Sequence, residues 1–84
     1  MRIDKYLQVS RIIKRRSIAK EIIEKKRIYI NGNVAKPSSN VKIDDLILIK
    51  FNDFDLEVRV LIIDDKVSKS EAINMYEITK DRGV

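Results

Sequence analysis

The sequence contains no cysteine and no histidine, and these two absences exclude several kinds of protein. Without cysteine the chain can form no disulfide framework, which fits a reducing cytoplasm. Without either residue it lacks the usual zinc ligands and the commonest general base of enzymes. Glycine is scarce as well, and Gly32 and Gly83 cannot form a glycine-rich phosphate loop. We therefore expect no enzymatic activity, no bound metal and no cofactor.

Long apolar segments are also absent. No stretch approaches the about 20 residues that a membrane-spanning helix needs, and residues 1–10 mix charged and polar side chains, unlike a signal peptide. A chain of 84 residues suits a single domain over residues 1–84, of which residues 80–84 are expected to fray. The sequence thus predicts a cytoplasmic monomer without membrane contact.

Positive charge is abundant, and it is concentrated at one end of the chain. Residues 1–27 contain ten Lys or Arg and three acidic residues, a net charge of +7. Residues 28–84 contain eight Lys or Arg and ten acidic residues, a net charge of −2. A charge that served only solubility would be spread along the chain, whereas a polarised charge is typical of a nucleic-acid-binding surface.

The choice of basic residue supports this interpretation. Lysine exceeds arginine by 11 to 7 in the whole chain, yet five of the arginines lie in residues 1–27. A planar guanidinium grips phosphate with two hydrogen bonds and stacks on bases, whereas lysine offers a point charge. Local use of arginine therefore favours a phosphate-contacting surface over an ordinary solvated face.

Two short helices are predicted in this basic region. The first has Arg2 and Lys5 together on one flank of its apolar stripe, and the second begins at an N-cap, Ser17, and runs to about Lys25. The inward stripe of the first helix is Ile3, Tyr6, Leu7 and Ser10, and that of the second is Ile18, Ala19, Ile22 and Ile23.

A basic connector over residues 11–16 joins the two helices, and it is the best candidate for contact with nucleic acid. Ile12 and Ile13 interrupt the basic residues and are expected to pack on the core. A connector held in this way loses less conformational entropy on binding than a flexible tail. Its basic residues are Arg11, Lys14, Arg15 and Arg16.

The remaining chain predicts a small sheet. Asn31-Gly32 between two β-prone segments is a strong hairpin signal, and strands are expected at residues 46–51 and 56–62. Ser68 and Glu71 fit a capping box that opens a C-terminal helix. The fold class is therefore α+β: two short N-terminal helices packed on a small, mostly antiparallel sheet of about four strands, with a C-terminal helix.

Acidic and aromatic residues allow two interpretations. The pairs Asp44-Asp45 and Asp64-Asp65 could suggest a metal or acid–base site, but they fall at strand ends, where aspartate is common in turns. We therefore interpret both pairs as structural. Tyr6 and Tyr76 are expected in the core, whereas Tyr29 is equally consistent with base stacking and with a structural role.

The motifs resemble the RNA-binding domain named after ribosomal small-subunit protein four, over nearly the whole chain. Within that superfamily the sequence is most similar to the short stand-alone bacterial members, namely the ribosome-associated quality control P factors and the heat shock protein 15 group. The resemblance is carried by MRIDKYL at residues 1–7, RIIKRRS at residues 11–17, Ala19-Lys-Glu21, Arg27-Ile28, Asn31-Gly32, Lys36, Ser38 and Asp45.

This resemblance implies a function on the ribosome. Family members bind the large subunit when a nascent chain on tRNA obstructs it, and contact rRNA and the P-site peptidyl-tRNA. In the P factor group this supports alanine tailing of the stalled chain by a separate tailing factor. Carried over by position, the contact residues are Arg2, Arg11, Lys14, Arg15 and Arg16, with Lys36 nearby.

The chain departs from relatives at two turns. Lys26 stands where relatives often end the second helix with glycine, and Asp44 stands where they often have glycine before the third strand. A left-handed backbone at a residue such as Lys26 would cost about 1 kcal/mol.

Two other functions remain open from the residues. One is a DNA-binding helix-turn-helix regulator, although a connector of about six residues is longer than the usual three to four. The other is an RNA-targeting module that works with a separate RNA-modifying enzyme.

From the sequence, neither Arg2 nor Arg16 belongs to an apolar stripe, so replacing either by alanine is expected to change stability by no more than about 0.5 kcal/mol.

Overall fold

The described residues form two α-helices and five strands, which confirms the predicted α+β class. The computed structural model describes the backbone of residues 1–83 and the side chains through Lys80. No helix in this part is long and apolar enough to cross a membrane. The elements are α1 (Ile3–Val9), α2 (Arg16–Glu24), β1 (Ile28–Ile30), β2 (Asn33–Val34), β3 (Leu46–Lys50), β4 (Phe54–Val60), a 3₁₀ turn (Ala72–Met75) and β5 (Tyr76–Gly83).

The helices present apolar stripes to the sheet. The predicted stripe of α1 is confirmed, because all four of its residues are buried. In α2, Ala19 and Ile23 are buried, whereas Ile18 is exposed. The start of α2 differs from the prediction: the helix begins at Arg16 rather than after Ser17, and Arg15 is the N-cap, without a side-chain hydrogen bond. The helix therefore takes its first turn from the basic connector.

The five strands form one antiparallel sheet in the order β2-β1-β3-β4-β5. Ile28 lies opposite Ile49, and Ile47 lies opposite Val58, so these side chains share one face. All four are buried in the same cluster as the helix stripes. The helices therefore cover a single face of the sheet.

The hairpin signal is confirmed. Asn31 and Gly32 connect β1 to β2 with φ angles of 51° and 85°. The Asn31 side chain also accepts a hydrogen bond from the Leu46 amide at 2.9 Å and donates one to Asp45 at 3.0 Å. The turn that reverses the chain is thus also tied to the start of β3.

The predicted C-terminal helix is wrong beyond one turn. Ala72 and Met75 are buried with helical spacing, but their turn is a 3₁₀ turn without a side-chain cap. From Tyr76 the chain pairs with β4, and the Thr79 hydroxyl donates to the Glu57 carbonyl oxygen at 3.1 Å. Strand pairing along a β-prone sequence overrides the local helical pattern here. The sheet accordingly has five strands instead of about four.

The same strand includes residues 80–83, where the sequence predicted a frayed tail. Their backbone belongs to β5 in the described part of the chain. Val84, the last residue of the predicted tail, lies outside the described residues.

One buried hydroxyl links α1 to the C-terminal region. Tyr6 donates a hydrogen bond to the Met75 carbonyl oxygen at 2.8 Å, and its ring is fully buried. Burial, and to a smaller extent the neighbouring Tyr76, raises the pKa of the Tyr6 hydroxyl far above its usual value. The hydroxyl therefore remains protonated and continues to donate this bond at neutral pH. Tyr6 is a core residue as predicted, whereas Tyr76 is half-buried against the core.

Lys26 and Asp44, the two positions at which glycine was expected in relatives, both adopt left-handed backbone conformations. Their φ angles are 60° and 75°. Such a conformation brings Cβ close to the following carbonyl oxygen, which costs about 1–2 kcal/mol for a residue other than glycine. The strain expected from the sequence at Lys26 is therefore present at both turns.

We expect Lys26→Gly to stabilise the protein by about 0.5–1 kcal/mol. Relief of the left-handed strain, about 1–2 kcal/mol, exceeds the added backbone entropy of the unfolded chain, about 0.5–1 kcal/mol. Lys25→Gly is the matched control, because Lys25 has a φ of −78° and carries the same charge. Urea unfolding measures both variants, and equal destabilisation by the two would contradict the strain.

Candidate nucleic-acid interface

A buried carboxylate lies at the centre of the basic region. Asp4, in the first turn of α1, has no exposed surface. Its Oδ2 accepts from Nη2 of Arg2 at 3.3 Å, and its Oδ1 accepts from Nη2 of Arg16 at 3.3 Å. The Lys5 amide donates to Oδ1 at 2.8 Å. One carboxylate therefore joins the start of α1 to the start of α2.

Both guanidinium groups remain partly in solvent. The exposed side-chain fractions are 46% for Arg2 and 39% for Arg16. Within the described residues, the only hydrogen bonds of these two guanidiniums are the two 3.3 Å contacts. Nε of Arg16 is buried without a partner, so the donors available to a ligand are the remaining ones of the two groups. A guanidinium held in place loses less entropy when it binds phosphate. Asp4 thus orients two forked donors outward.

The backbone at Arg2 is also held in place. The Ile3 amide donates to the Ser39 carbonyl oxygen at 2.7 Å, and the Val41 amide donates to the Met1 carbonyl oxygen at 2.8 Å. Arg2 itself forms an isolated antiparallel bridge with Asn40. The start of the chain is therefore an ordered segment paired with the loop before β3, and not a loose terminus.

This geometry overturns the stability expected for two variants. From the sequence, alanine at Arg2 or Arg16 was expected to change stability by at most about 0.5 kcal/mol. Both residues compensate a fully buried charge, and removing a partner leaves that charge uncompensated, which destabilises a folded protein. The two arginines are therefore part of the folded framework as well as candidate RNA contacts.

The connector between the helices folds against the end of α1. The Arg11 amide donates to the Gln8 carbonyl oxygen at 3.0 Å, and the Ile13 amide donates to the Leu7 carbonyl oxygen at 3.1 Å. Ile13 is buried and Ile12 is half-buried, which confirms that the isoleucines pack inward. Arg11 has a φ of 63°, a left-handed conformation that the sequence did not predict.

The remaining connector cations point into solvent. Arg11, Lys14 and Arg15 are exposed and form no ion pair within the described residues. They lie in the segment that leads directly into Arg16, at the start of α2. The structure thus places five of the predicted residues on α1, its connector and the first turn of α2: Arg2, Arg11, Lys14, Arg15 and Arg16.

Lys5 and Lys36 differ from these five. Lys5 pairs with Asp65 at 3.5 Å, so part of its charge is offset by an acid from the loop after β4. Lys36 is exposed but lies beside Glu24 and Lys26, at the end of α2 opposite Arg16. Neither side chain forms an ion pair with the Asp4 carboxylate in the described part of the molecule, and Lys5 contacts it only through its main-chain amide.

The paired aspartates form turn hydrogen bonds. Asp45 accepts from the Lys42 amide at 2.8 Å, and Asp64 accepts from the Lys66 amide at 2.9 Å. These bonds are the structural role that the sequence suggested. Tyr29 is half-buried in β1, and Nζ of Lys50 lies 5.3 Å from its ring centroid.

The comparison with protein families matches residues 1–47 to the S4 domain. The RQC P-site tRNA stabilizing factor of Streptococcus pneumoniae is 49% identical over 84 residues, which are 100% of this chain and 96% of that protein. The factor of the same name from Bacillus subtilis is 49% identical over 81 residues, covering 96% and 94% of the two chains. The chain belongs to the S4 domain family, in the group of the RQC P-site tRNA stabilizing factors.

A solved structure shows the same fold. Heat shock protein 15 of Vibrio cholerae, whose structure is described as trimeric, superposes with a TM-score of 0.84 at 32% sequence identity. The similarity covers 94% of this chain and 81% of that one. The resemblance found in the motifs is therefore confirmed for the S4 domain, for the quality-control group and, more distantly, for the heat shock protein 15 group.

Sequence reasoning missed Asp4. In the sequence it lies between Arg2 and Lys5 and looks like one charge in a mixed, solvated segment. Its neighbour Ile3 belongs to the inward stripe, and this position could have indicated that Asp4, in the same helical turn, is buried as well. The partner Arg16 is twelve residues away, so the contact depends on how α1 and α2 pack.

We expect the double variant Arg2→Ala/Arg16→Ala to lose about 3 kcal/mol of unfolding free energy, because it leaves the Asp4 carboxylate buried without a cationic partner. Each single variant should lose about 1–2 kcal/mol. Adding Asp4→Asn to the double variant should recover part of the loss, since the buried charge is then removed. Urea unfolding provides the measurements.

The control for this cycle is Lys14→Ala, which removes an exposed cation without touching Asp4 and should change stability by at most about 0.5 kcal/mol. If Asp4→Asn destabilises the double variant further, the carboxylate is stabilised by something other than the two arginines.

Proposed function

We propose that this protein binds the large ribosomal subunit when peptidyl-tRNA obstructs it, and that it contacts rRNA and the P-site tRNA there. The observation that carries the proposal is the Asp4 carboxylate, which holds the partly exposed guanidinium groups of Arg2 and Arg16 side by side. Both arginines lie within the S4 domain match, and the name of the quality-control relatives refers to a P-site tRNA.

The electrostatics favour a phosphate ligand for this surface. Residues 1–27 have a net charge of +7, and one of their three acidic residues, Asp4, is buried beneath the arginines. The count of +7 already includes this carboxylate, so the cations of this region remain in excess after Asp4 has been paired. Neutralising phosphates releases counterions from RNA, which supplies a large part of the affinity and makes it depend on salt.

The proposed role in the pathway is support of a separate tailing factor that adds alanine to the stalled chain. The protein would act by binding and by holding the P-site tRNA, without chemistry of its own. We propose that it works as a cytoplasmic monomer, since one domain supplies all the cations of this surface.

We expect a tagged copy to co-sediment from lysate with large subunits, and to be enriched on those that carry peptidyl-tRNA. The physical reason is that the occupied P site adds tRNA phosphates to those of the rRNA. Sucrose-gradient sedimentation followed by identification of the bound RNA provides the measurement. A profile that follows free small subunits or bulk DNA would refute the proposed target.

Two variants that each remove one lysine test whether binding depends on where the positive charge lies. Lys14→Ala and Lys69→Ala each delete one exposed lysine, from the connector and from the loop after β4. Loss of a phosphate contact should weaken subunit binding by Lys14→Ala about fivefold at ~0.15 M salt, from release of about one counterion. Lys69→Ala should bind like the unaltered protein. Equal losses would show that the protein binds RNA through its net charge alone.

A further inference from the structure

A second cluster of cations lies at the end of α2 opposite Arg16. Lys25 is the C-cap of α2, Arg27 follows two residues later, and Lys50 is the last residue of β3. These three residues line a shallow cavity of about 150 Å³ together with Ile22, Phe51 and Asn52. None of the described residues that line this cavity is acidic. The charged residues of this lining are therefore all cationic.

The cluster is held in place by hydrogen bonds. Nη1 of Arg27 donates to Oδ1 of Asn52 at 2.6 Å, and the Lys50 amide donates to the Arg27 carbonyl oxygen at 2.9 Å. Arg27 and Lys50 thus face each other across neighbouring strands. Like charges in this position are destabilising, and a bound anion would remove the repulsion.

Other partners offset these charges only in part. Lys25 pairs with Glu21 at 3.3 Å, but both side chains are more than half exposed, and such pairs contribute little. Lys50 lies opposite Asp55 on β4, yet no ion pair joins them in the described structure. Its Nζ instead lies 5.3 Å from the Tyr29 ring centroid. The Arg27 guanidinium contacts a neutral amide.

The helix dipole does not explain the cluster. Cations near a helix C-terminus are favourable, which accounts for Lys25. Lys50 comes from β3, however, and Lys26, which is equally close to the helix end, lines a different cavity. The convergence of helix and strand on one cavity therefore requires another reason.

We propose that Lys25, Arg27 and Lys50 bind a backbone phosphate of RNA at a second contact, separate from the Asp4-centred surface. This inference rests on the proposed binding of RNA. The nine residues of α2 separate the two surfaces by about 13–14 Å, at about 1.5 Å per residue. One protein domain can therefore hold two points on RNA, either along one strand or on two different RNA elements.

Adjacent aromatic residues support RNA over a simple anion. Phe51, in the cavity wall, stacks on Phe54 with ring centroids 4.8 Å apart, and Phe54 remains 37% exposed. Sites for single-stranded nucleic acid combine cations that follow the backbone with aromatic rings on which bases stack. The β3–β4 turn places both features side by side.

The test compares two double variants that each remove two lysines. Lys25→Gln/Lys50→Gln alters the second contact, and Lys66→Gln/Lys69→Gln removes the same charge from the exposed loop after β4. Binding to purified large subunits carrying peptidyl-tRNA is measured at several monovalent salt concentrations with magnesium constant. Thermal unfolding verifies that both variants are folded.

We expect Lys25→Gln/Lys50→Gln to bind about five- to thirtyfold more weakly at ~0.15 M salt, with a log–log salt slope shallower by about 1–2, because one or two phosphate contacts are lost. The Lys66→Gln/Lys69→Gln variant should retain both affinity and slope. Combining Lys25→Gln/Lys50→Gln with Lys14→Ala should multiply the two losses, as expected for separate contacts.

Two outcomes distinguish this inference from the proposed function. If Lys14→Ala weakens binding while Lys25→Gln/Lys50→Gln matches the unaltered protein, the second contact is refuted and the proposed function stands. If the unaltered protein does not bind the subunits, both are refuted. If the variant keeps its RNA affinity but loses a co-sedimenting protein, the surface contacts an acidic protein partner and the assignment to RNA is wrong.

Discussion

The buried carboxylate of Asp4 is the constraint on which the basic surface depends. A fully buried charge needs partners, and here both cationic partners, Arg2 and Arg16, belong to the proposed RNA-binding surface. The same two side chains therefore compensate the buried charge and supply donors for the proposed binding of RNA. These guanidiniums lose conformational entropy when the protein folds, so they lose less of it when a ligand binds.

The core explains why this arrangement keeps its geometry. Ile3 and Leu7, on either side of Asp4 along α1, are fully buried in the same cluster as the sheet residues. The start of the chain is paired with the loop at Ser39, and Tyr6 joins α1 to Met75 by its hydroxyl. A helix of seven residues would be marginal alone, so the position of its charged turn is set by these tertiary contacts.

Much of this could be predicted from the sequence, and the failures have physical causes. The α1 stripe, the Asn31-Gly32 hairpin and the inward isoleucines follow from local spacing, which the sequence displays directly. The strand after Met75 could not be predicted from local spacing, because it is stabilised by pairing with β4. The residues before it also have helical spacing, which favoured the wrong prediction. The contact of Asp4 with Arg16 likewise exists only once two helices have packed.

Positive charge is concentrated at both ends of α2, but the two ends differ in the counter-charge that offsets it. At Arg16 the protein supplies its own buried anion, and that carboxylate both stabilises and orients the cations. At Arg27 and Lys50 none of the described residues that line the cavity is a carboxylate, and the Arg27 guanidinium donates to the neutral amide of Asn52. The first surface is therefore ordered by a counter-charge of the protein itself, whereas the lining of the second supplies none within the described residues. A phosphate bound at the proposed second contact would supply there the negative charge that Asp4 supplies at the first.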